Sequence, residues 1–462
     1  MRRKILCSFL YTILIYVGIN NCYCQSTKFY KLYAGNNDLQ LFTVHQTQNN
    51  GYIAAGKSTS TIGGNYLILK VDSNGNEMWR SLGGLFNTLD SDNVTYSATE
   101  YFDGGIIACG TITQFHPGIG LDHQNFLVKI DSTGNLVWQK AIGNDTCYET
   151  LWDLKSFTNG EIICAGIKAT TQSNLSIIKY DSAGTQMWET NYTMGNYFAN
   201  KSYIYDCFNS DVLILTALSS YGSVLTRIDS GGTILKQQYF LDTLFSYPVT
   251  VSEVAPFRYK LIRQSNSTPF DALISELDSN FNILNTYYTG PVNSAAIIDS
   301  INSYCCAVEM SCWKCGLTGD TVWKSSIIDP RLVPTFTIVT HDGCALNCGV
   351  INHDATGYSV GFLWSVCDSS LLAGSGELFK DKIRIYPIPT SGLINLDIDS
   401  DVLYKFKNIF LIITDSMGQT VLQTEVNKSE MQIELDRLKS GIYTFNFIAN
   451  NQRLYSRAIV IN

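Results

Sequence analysis

The chain reads as an all-β protein: a β-propeller of about seven four-stranded blades, followed by an immunoglobulin-like β-sandwich. Three observations predict this. One strand–turn–strand phrase recurs as LILKVDSNGNEMW, FLVKIDSTGNLVW, SIIKYDSAGTQMW, SVLTRIDSGGTIL and ALISELDSNFNIL. Its aspartates, Asp72, Asp131, Asp181, Asp229 and Asp278, lie 59, 50, 48 and 49 residues apart, a period that suits one propeller blade. The period then stops near residue 375, and about seven short strands fill the last 80 or so residues without it, a sandwich pattern.

Each repeat has an upstream turn and small-residue strand, then the Asp-turn hairpin. The upstream pieces are NNGYIAAGKS (49–58), DGGIIACGTI (103–112) and NGEIICAGIK (159–168). Degenerate copies follow at 210–219, 258–267 and 302–311, and TGYSVGFLWS (356–365) is read as the seventh. Counting them gives seven blades, with six or eight left open because the last is poorly marked. In the hairpin, Asp accepts backbone N–H groups at the start of a tight turn. Gly75, Gly134 and Gly184 then supply the positive φ it requires. Trp79, Trp138 and Trp188 each follow their Asp by seven residues and are expected to fill the wedge between blades. Trp323 keeps that place in a sixth copy, where Gly316 replaces the Asp. The D-x-N-G text is not a calcium loop, because its glycine is two positions early and the closing Glu is missing.

The segment from Phe29 to Gly35 carries the outgoing-strand pattern without a hairpin before it. It is expected to complete the last blade and so close the ring, which removes open sheet edges.

The first residues, MRRKILCSFLYTILIYVGINNCYCQS, join a basic start to a short apolar run and small residues. This is the pattern of a secretory signal over 1–24, cut between Cys24 and Gln25. Without Arg2, Arg3 and Lys4 the formal charge moves from −8 to −11. Residues 381–462 are neutral, so the acidic excess belongs to 25–380 and argues against nucleic acid as a partner.

No catalytic motif, phosphate loop or cofactor signature is found, and no catalytic, cofactor or metal residue is assigned. His116, Asp122 and His123 share a Gly-rich loop and read as a solvated insertion. Seven cysteines crowd 305–367: Cys305, Cys306, Cys312, Cys315, Cys344, Cys348 and Cys367. Disulfides, buried thiols and a zinc site all fit that spacing. Cys109 and Cys164 sit in small-residue strands as buried thiols.

The last segment resembles the type A C-terminal sorting domain of type IX secretion cargo in Bacteroidetes. Tyr386, Pro387, Pro389 and Gly392 match the family's Y-P-N-P-x-x-G, with Ile388 in place of Asn. Asp415 and Gly418 match its D-x-x-G turn, and Leu438, Gly441 and Tyr443 its L-x-x-G-x-Y step. The resemblance implies recognition by the outer-membrane translocon and removal by a sortase. The domains expected are therefore a signal (1–24), propeller (25–375), linker (376–381) and sorting domain (382–462). The protein is expected to be secreted or placed on the cell surface via the periplasm. The propeller then reads as a non-catalytic module for a surface protein or glycan, or alternatively as a secreted hydrolase or lyase with its site at the axial mouth.

Overall fold

The fold is given by a computed structural model, which describes residues 25–368 and 382–461. Within these spans, 36, 61–62, 85–90, 117–119, 144–147, 170–172, 196, 210, 220–221, 243, 245–246, 266–270, 308–310, 317, 328, 330, 353–357, 388–389, 391, 407–408, 415–419, 437 and 450–451 are not described. The signal reading over 1–24, the linker at 376–381, and Pro389 and Gly418 lie outside the described residues.

Seven four-stranded antiparallel sheets follow one another along the chain. After β1 (Gln25–Tyr33), blade 1 holds β2 (Asp38–Gln46), β3 (Tyr52–Ser60), β4 (Gly63–Val71) and β5 (Glu77–Gly83). Blade 2 holds β6 (Ser91–Glu100), β7 (Ile106–His116), β8 (Gly120–Ile130) and β9 (Leu136–Ile142). Blade 3 holds β10 (Tyr148–Ser156), β11 (Ile162–Ala169), β12 (Ser173–Tyr180) and β13 (Gln186–Tyr192). Blade 4 holds β14 (Ala199–Asp206), β15 (Val212–Leu218), β16 (Gly222–Ile228) and β17 (Ile234–Phe240). Blade 5 holds β18 (Tyr247–Ala255), β19 (Arg258–Gln264), β20 (Asp271–Leu277) and β21 (Ile283–Pro291). Blade 6 is the smallest, with β22 (Ser294–Ile297), β23 (Ser303–Ala307), β24 (Ser311–Cys315) and β25 (Thr321–Ser326). Blade 7 holds β26 (Leu332–Val339), β27 (Ala345–Ile351) and β28 (Val360–Asp368), and takes β1 as its fourth strand. Single parallel bridges, Gly64 to Asp92 and His123 to Tyr148, tie blades 1, 2 and 3 together.

The closing strand is where its pattern predicts. β1 runs antiparallel to β28, with Phe29 opposite Ser365 and Tyr33 opposite Gly361. Phe29 and Tyr33 are buried. The Tyr33 hydroxyl donates to Gly75 O at 2.7 Å, and Lys31 Nζ donates to Asn76 Oδ1 at 2.9 Å. The strand thus pairs with the last blade while its side chains grip the first.

One sequence assignment is corrected. TGYSVGFLWS (356–365) is not the seventh turn-and-second-strand unit; its residues from Val360 on form the third strand of blade 7. The second strand is β27, entered through the turn Thr340–Cys344, within the cysteine-rich stretch. Blade 7 has no Asp-turn hairpin because its outer strand comes from the other end of the chain.

The Asp turns share one geometry. Asp72 Oδ1 accepts from Asn74 N and Asn76 N, both at 2.8 Å. Asp131, Asp181, Asp229 and Asp278 repeat the pair of bonds two and four residues on. Gly75, Gly134 and Gly184 have φ of 74°, 97° and 70°. Each is also a seat for a ring from the preceding blade. A Cβ on Gly134 would lie 2.9 Å from Trp79, one on Gly184 2.7 Å from Trp138, and one on Gly232 2.8 Å from Trp188. Trp79 Nε1 also donates to Ser132 O at 3.2 Å. Between blades 4 and 5 the roles reverse. Lys236 stands where the Trp would be, and the turn itself supplies Phe281, buried at φ 63° against Tyr259.

These turns set an acid limit. Hydrogen bonds hold all five carboxyls below the ordinary value of 3.8: at Asp72 chiefly from the Asn76 amide, at Asp181 from Thr185 N–H, at Asp229 from Thr233 N–H. At Asp278 desolvation opposes the shift and the Asn282 bonds prevail. Asp131 falls furthest, to about 2, chiefly through the Thr133 hydroxyl. A carboxyl depressed in the folded state stabilises above its unfolded pKa, and that contribution is lost as pH falls through the folded one. The melting temperature is therefore expected to drop between about pH 4 and about pH 2. Asp131→Asn should flatten part of that slope in a thermal titration, and an unchanged slope would assign the acid limit elsewhere.

A second set of contacts joins blades nearer the axis. At or near the end of the inner strand, Gln46 Oε1 accepts His341 N at 2.6 Å, Glu100 Oε2 accepts Gln48 N at 2.6 Å, and Glu253 Oε2 accepts Phe208 N at 2.5 Å. Ser156 Oγ donates to Glu100 O at 3.0 Å, and Asp206 pairs with Lys155. Blades 1 to 5 thus each reach back to the one before, and the backbone groups they meet gain a partner.

Beyond the propeller, β29 (Ile383–Tyr386), β30 (Leu393–Ile398) and β33 (Glu430–Glu434) form a three-stranded sheet. β31 (Ile409–Thr414), β32 (Thr420–Val426), β34 (Gly441–Ala449) and β35 (Gln452–Ile461) form a four-stranded one. A short helix, α1 (Ser400–Lys405), connects them and was not foreseen. The sandwich has a core of its own, including Ile385, Ile394, Leu411, Phe445 and Phe447.

Candidate functional site

The inner strands of the blades surround the propeller axis, and alternation makes only some of their residues available to it. Most of these strands carry a bulge, which re-aims the local side chains. In blades 1, 2 and 3 the register shifts around Phe42, Tyr96 and Trp152. These three rings meet: Phe42 and Tyr96 at 5.9 Å between centroids, Tyr96 and Trp152 at 4.1 Å. Lys201 of blade 4 carries the chain onward, its Nζ 5.5 Å from the Trp152 ring and 4.8 Å from Tyr203. Tyr203 packs on Phe336 of blade 7 at 6.3 Å, and Phe336 on His45 of blade 1 at 6.2 Å. The contacts run from blade 1 across the axis and back to blade 1.

On the side of the inner-strand ends lies a cup of about 410 Å³, within the usual range for ligand pockets. Tyr203, Tyr205 and Phe336 give it aromatic wall, Thr250 and Ser252 give hydroxyls, and Ala295 and Ala296 of blade 6 line it with small side chains. Burial raises the phenol pKa of Tyr203 and Tyr205, so both remain neutral donors. Burial likewise lowers the His45 imidazole and raises the Asp153 carboxyl. Asp153 is committed to structure: Oδ2 accepts Ile204 N of the next blade and Oδ1 accepts Leu154 N, both at 2.8 Å. His45 Nε2 lines the same cup, buried and without a hydrogen-bond partner among the described residues.

None of these axial residues stood out in the sequence. They are scattered over several inner strands that are distant in sequence, so no local motif announces them. The residues that did stand out lie elsewhere. Asp72, Asp131 and Asp181 with their Gly and Trp partners sit at the outer hairpins. His123 Nδ1 shares a 3.0 Å hydrogen bond with Thr113 Oγ1, and its ring lies 4.5 Å from Tyr148. Asp122 is buried and accepts from Gln124 Nε2 at 2.8 Å. His353 is not among the described residues. Of the cysteine cluster, Cys344 and Cys367 form a disulfide within blade 7, and Cys305, Cys306, Cys312, Cys315 and Cys348 are buried thiols. No group of three metal-ligating side chains occurs among the described residues.

In the C-terminal sandwich, Tyr386 is half exposed at the end of β29 and precedes a cis peptide to Pro387. Gly392 has φ 138°, and a Cβ there would overlap the Asp436 carboxylate. Gly441 opens β34, and the largely buried Tyr443 donates through its hydroxyl to Lys439 O at 2.9 Å. These residues shape an entry strand and two turns and carry no reactive group.

Comparison with known proteins bears on both halves. The family described as secretion system C-terminal sorting domain matches residues 384–462. No curated protein matches the chain. Among solved structures, a protein of unknown function from Dyadobacter fermentans is similar over 74% of this chain and 98% of its own, at 10% identity and TM-score 0.47. The WD40 β-propeller domain of Doa1 is similar over 74% and 96%, at 12% identity and TM-score 0.44. BamB from Moraxella catarrhalis is similar over 74% and 100%, at 12% identity and TM-score 0.39. The propeller assignment stands on the sheet order of the chain itself. The sorting-domain match means interaction with the type IX secretion machinery and export to the cell surface or beyond. Its ordered signatures and the closed ring before them make this chain a β-propeller protein exported by type IX secretion through its C-terminal sorting domain.

Proposed function

We propose that residues 25–375 are a non-catalytic binding module that takes up a surface protein or glycan at the axial cup. The observation that carries this is the composition of the cup: aromatic wall, hydroxyls, small side chains from blade 6, and a buried ring nitrogen at His45 with no hydrogen-bond partner among the described residues. A buried polar atom normally has a hydrogen-bond partner, and a ligand hydroxyl or amide would supply it. The competing reading, a hydrolase or lyase at the same mouth, needs an available acid or base. Both carboxylates of the cup are engaged, Asp153 by backbone donors and Asp206 by Lys155, which leaves the buried His45 imidazole as the base that reading would use. Without a free carboxylate beside it among the described residues, binding is favoured over catalysis.

In this reading residues 1–24 are cut before Gln25 and the chain crosses the periplasm. Residues 376–381 link the module to the sorting domain at 382–462, which the translocon reads and a sortase removes. The intact exported protein is to be screened against a glycan array and against surface proteins in a pull-down. Ser252→Trp, at a partly exposed position on the cup wall, fills the cup and should weaken binding at least tenfold at unchanged melting temperature. Equal binding by that variant would move the site off the axis. Ligand turnover abolished by Asp153→Asn would establish the hydrolase reading instead.

A further inference from the structure

Blade 6 has the shortest strands of the ring, of four, five, five and six residues. It also holds four buried cysteines on its two middle strands: Cys305 and Cys306 on β23, Cys312 and Cys315 on β24. Four cysteines allow three pairings, and the register selects one. Side chains alternate between sheet faces, so Cys305 and Cys306 face opposite ways. Cys306 stands directly opposite Cys312, and both lie on one face. Cys305 stands opposite Trp313, two residues before Cys315, so Cys305 and Cys315 share the other face. Their sulfurs are 3.5 Å apart. The neighbouring blade already joins the corresponding pair of strands: Cys344, just before β27, is bonded to Cys367 on β28.

We propose that the exported protein carries two further disulfides, Cys305–Cys315 and Cys306–Cys312, one on each face of blade 6. The proposal rests on the export reading, since disulfides form and persist in the oxidising periplasm and outside the cell. The chemistry is thiol–disulfide exchange with the disulfide of an oxidoreductase, before the strands seal the sulfurs from solvent. The Cys315 thiolate attacks one sulfur of that disulfide and forms a mixed disulfide, and the other sulfur leaves as a thiolate. The Cys305 thiolate then attacks the Cys315 sulfur and releases the oxidoreductase. Two thiols of blade 6 are oxidised, and one oxidoreductase disulfide is reduced to a dithiol that takes both protons. The second pair forms in the same way. Thr289 Oγ1 lies 3.4 Å from Cys315 Sγ. The stapled blade supplies Ala295 and Ala296 to the axial cup, so its rigidity fixes that part of the cup wall.

The test is a peptide map of the exported protein, denatured and alkylated without reduction. Trypsin separates Cys315 from the other three cysteines by cutting after Lys314, and cleavage after Glu309 separates Cys306 from Cys312. The expected result is a Cys315 peptide joined to the Cys305/Cys306 peptide, and the latter joined to the Cys312 peptide. Alkylation should then fall only on Cys109, Cys147, Cys164, Cys207 and Cys348. Alkylated Cys305, Cys306, Cys312 and Cys315 in exported protein would overturn the proposal and leave the export reading intact. Protein kept in the cytoplasm by removal of residues 1–24 should show all four as thiols; the same cross-links there would detach the staples from export. Failure of the full chain to leave the cell would instead count against the export reading.

Discussion

Removing the strand from Gln25 to Tyr33 is expected to lower the melting temperature by roughly 6–12 °C. Two terms give that size. Phe29 and Tyr33 are buried, and each such side chain contributes about 1.5–3 kcal/mol. At roughly 2 °C per kcal/mol for a domain of this length, the side chains alone account for the shift. The loss also bares the edge of β28, whose residues from Gly361 to Asp368 would have no outer partner. An open edge invites pairing with other chains, so the trimmed protein should also aggregate on heating. The milder change Phe29→Ala should give about half the shift by emptying the seat on Gly75 while leaving the ladder intact. Scanning calorimetry of mature, trimmed and substituted proteins measures all three. A trimmed protein that melts with the mature one would mean that β1 adds nothing to ring closure.

Deleting residues 382–462 is expected to reduce surface and medium levels to background, with the truncated protein accumulating in the periplasm. The sandwich has its own core, so the deletion removes a separate unit without opening the propeller. A single change should reproduce much of the effect. Gly392→Val places a branched side chain at φ 138° and against Asp436, between the entry strand and the rest of the sandwich. Blotting of fractionated cells and medium reads both variants. Export of the deleted form at the normal level would remove the sorting role, and export of the Gly392 variant alone would remove only this turn from recognition.

The sequence made the ring legible through its outer hairpins. Asp72, Asp131 and Asp181 recur at fixed spacing because each turn needs the same carboxylate and the same left-handed residue, whatever the blade. Blade 7 was harder. Its outer strand lies at the other end of the chain, so no hairpin marked its third strand, and β27 was hidden behind its cysteines. Phe281 could not be foreseen, because its unusual backbone is explained only by Lys236 on another blade. The axial cup was illegible for a related reason. His45, Asp153, Tyr203 and Phe336 come from four strands spread over some three hundred residues, and nothing in the local text of any one marks it as facing the axis.

The pairing of β1 with β28 also imposes an order of events. The strand made first is the last to find its place, because its partner is made only after six other blades. Contacts between such distant segments form slowly, so the nascent ring spends its early life as an incomplete arc. The export address is encoded later still. A chain broken off early therefore lacks both the partner for its first strand and the means of leaving the cell. Chains that carry the address have, by the order of synthesis, already made every blade, and the layout of the fold lets only finished propellers present themselves for dispatch.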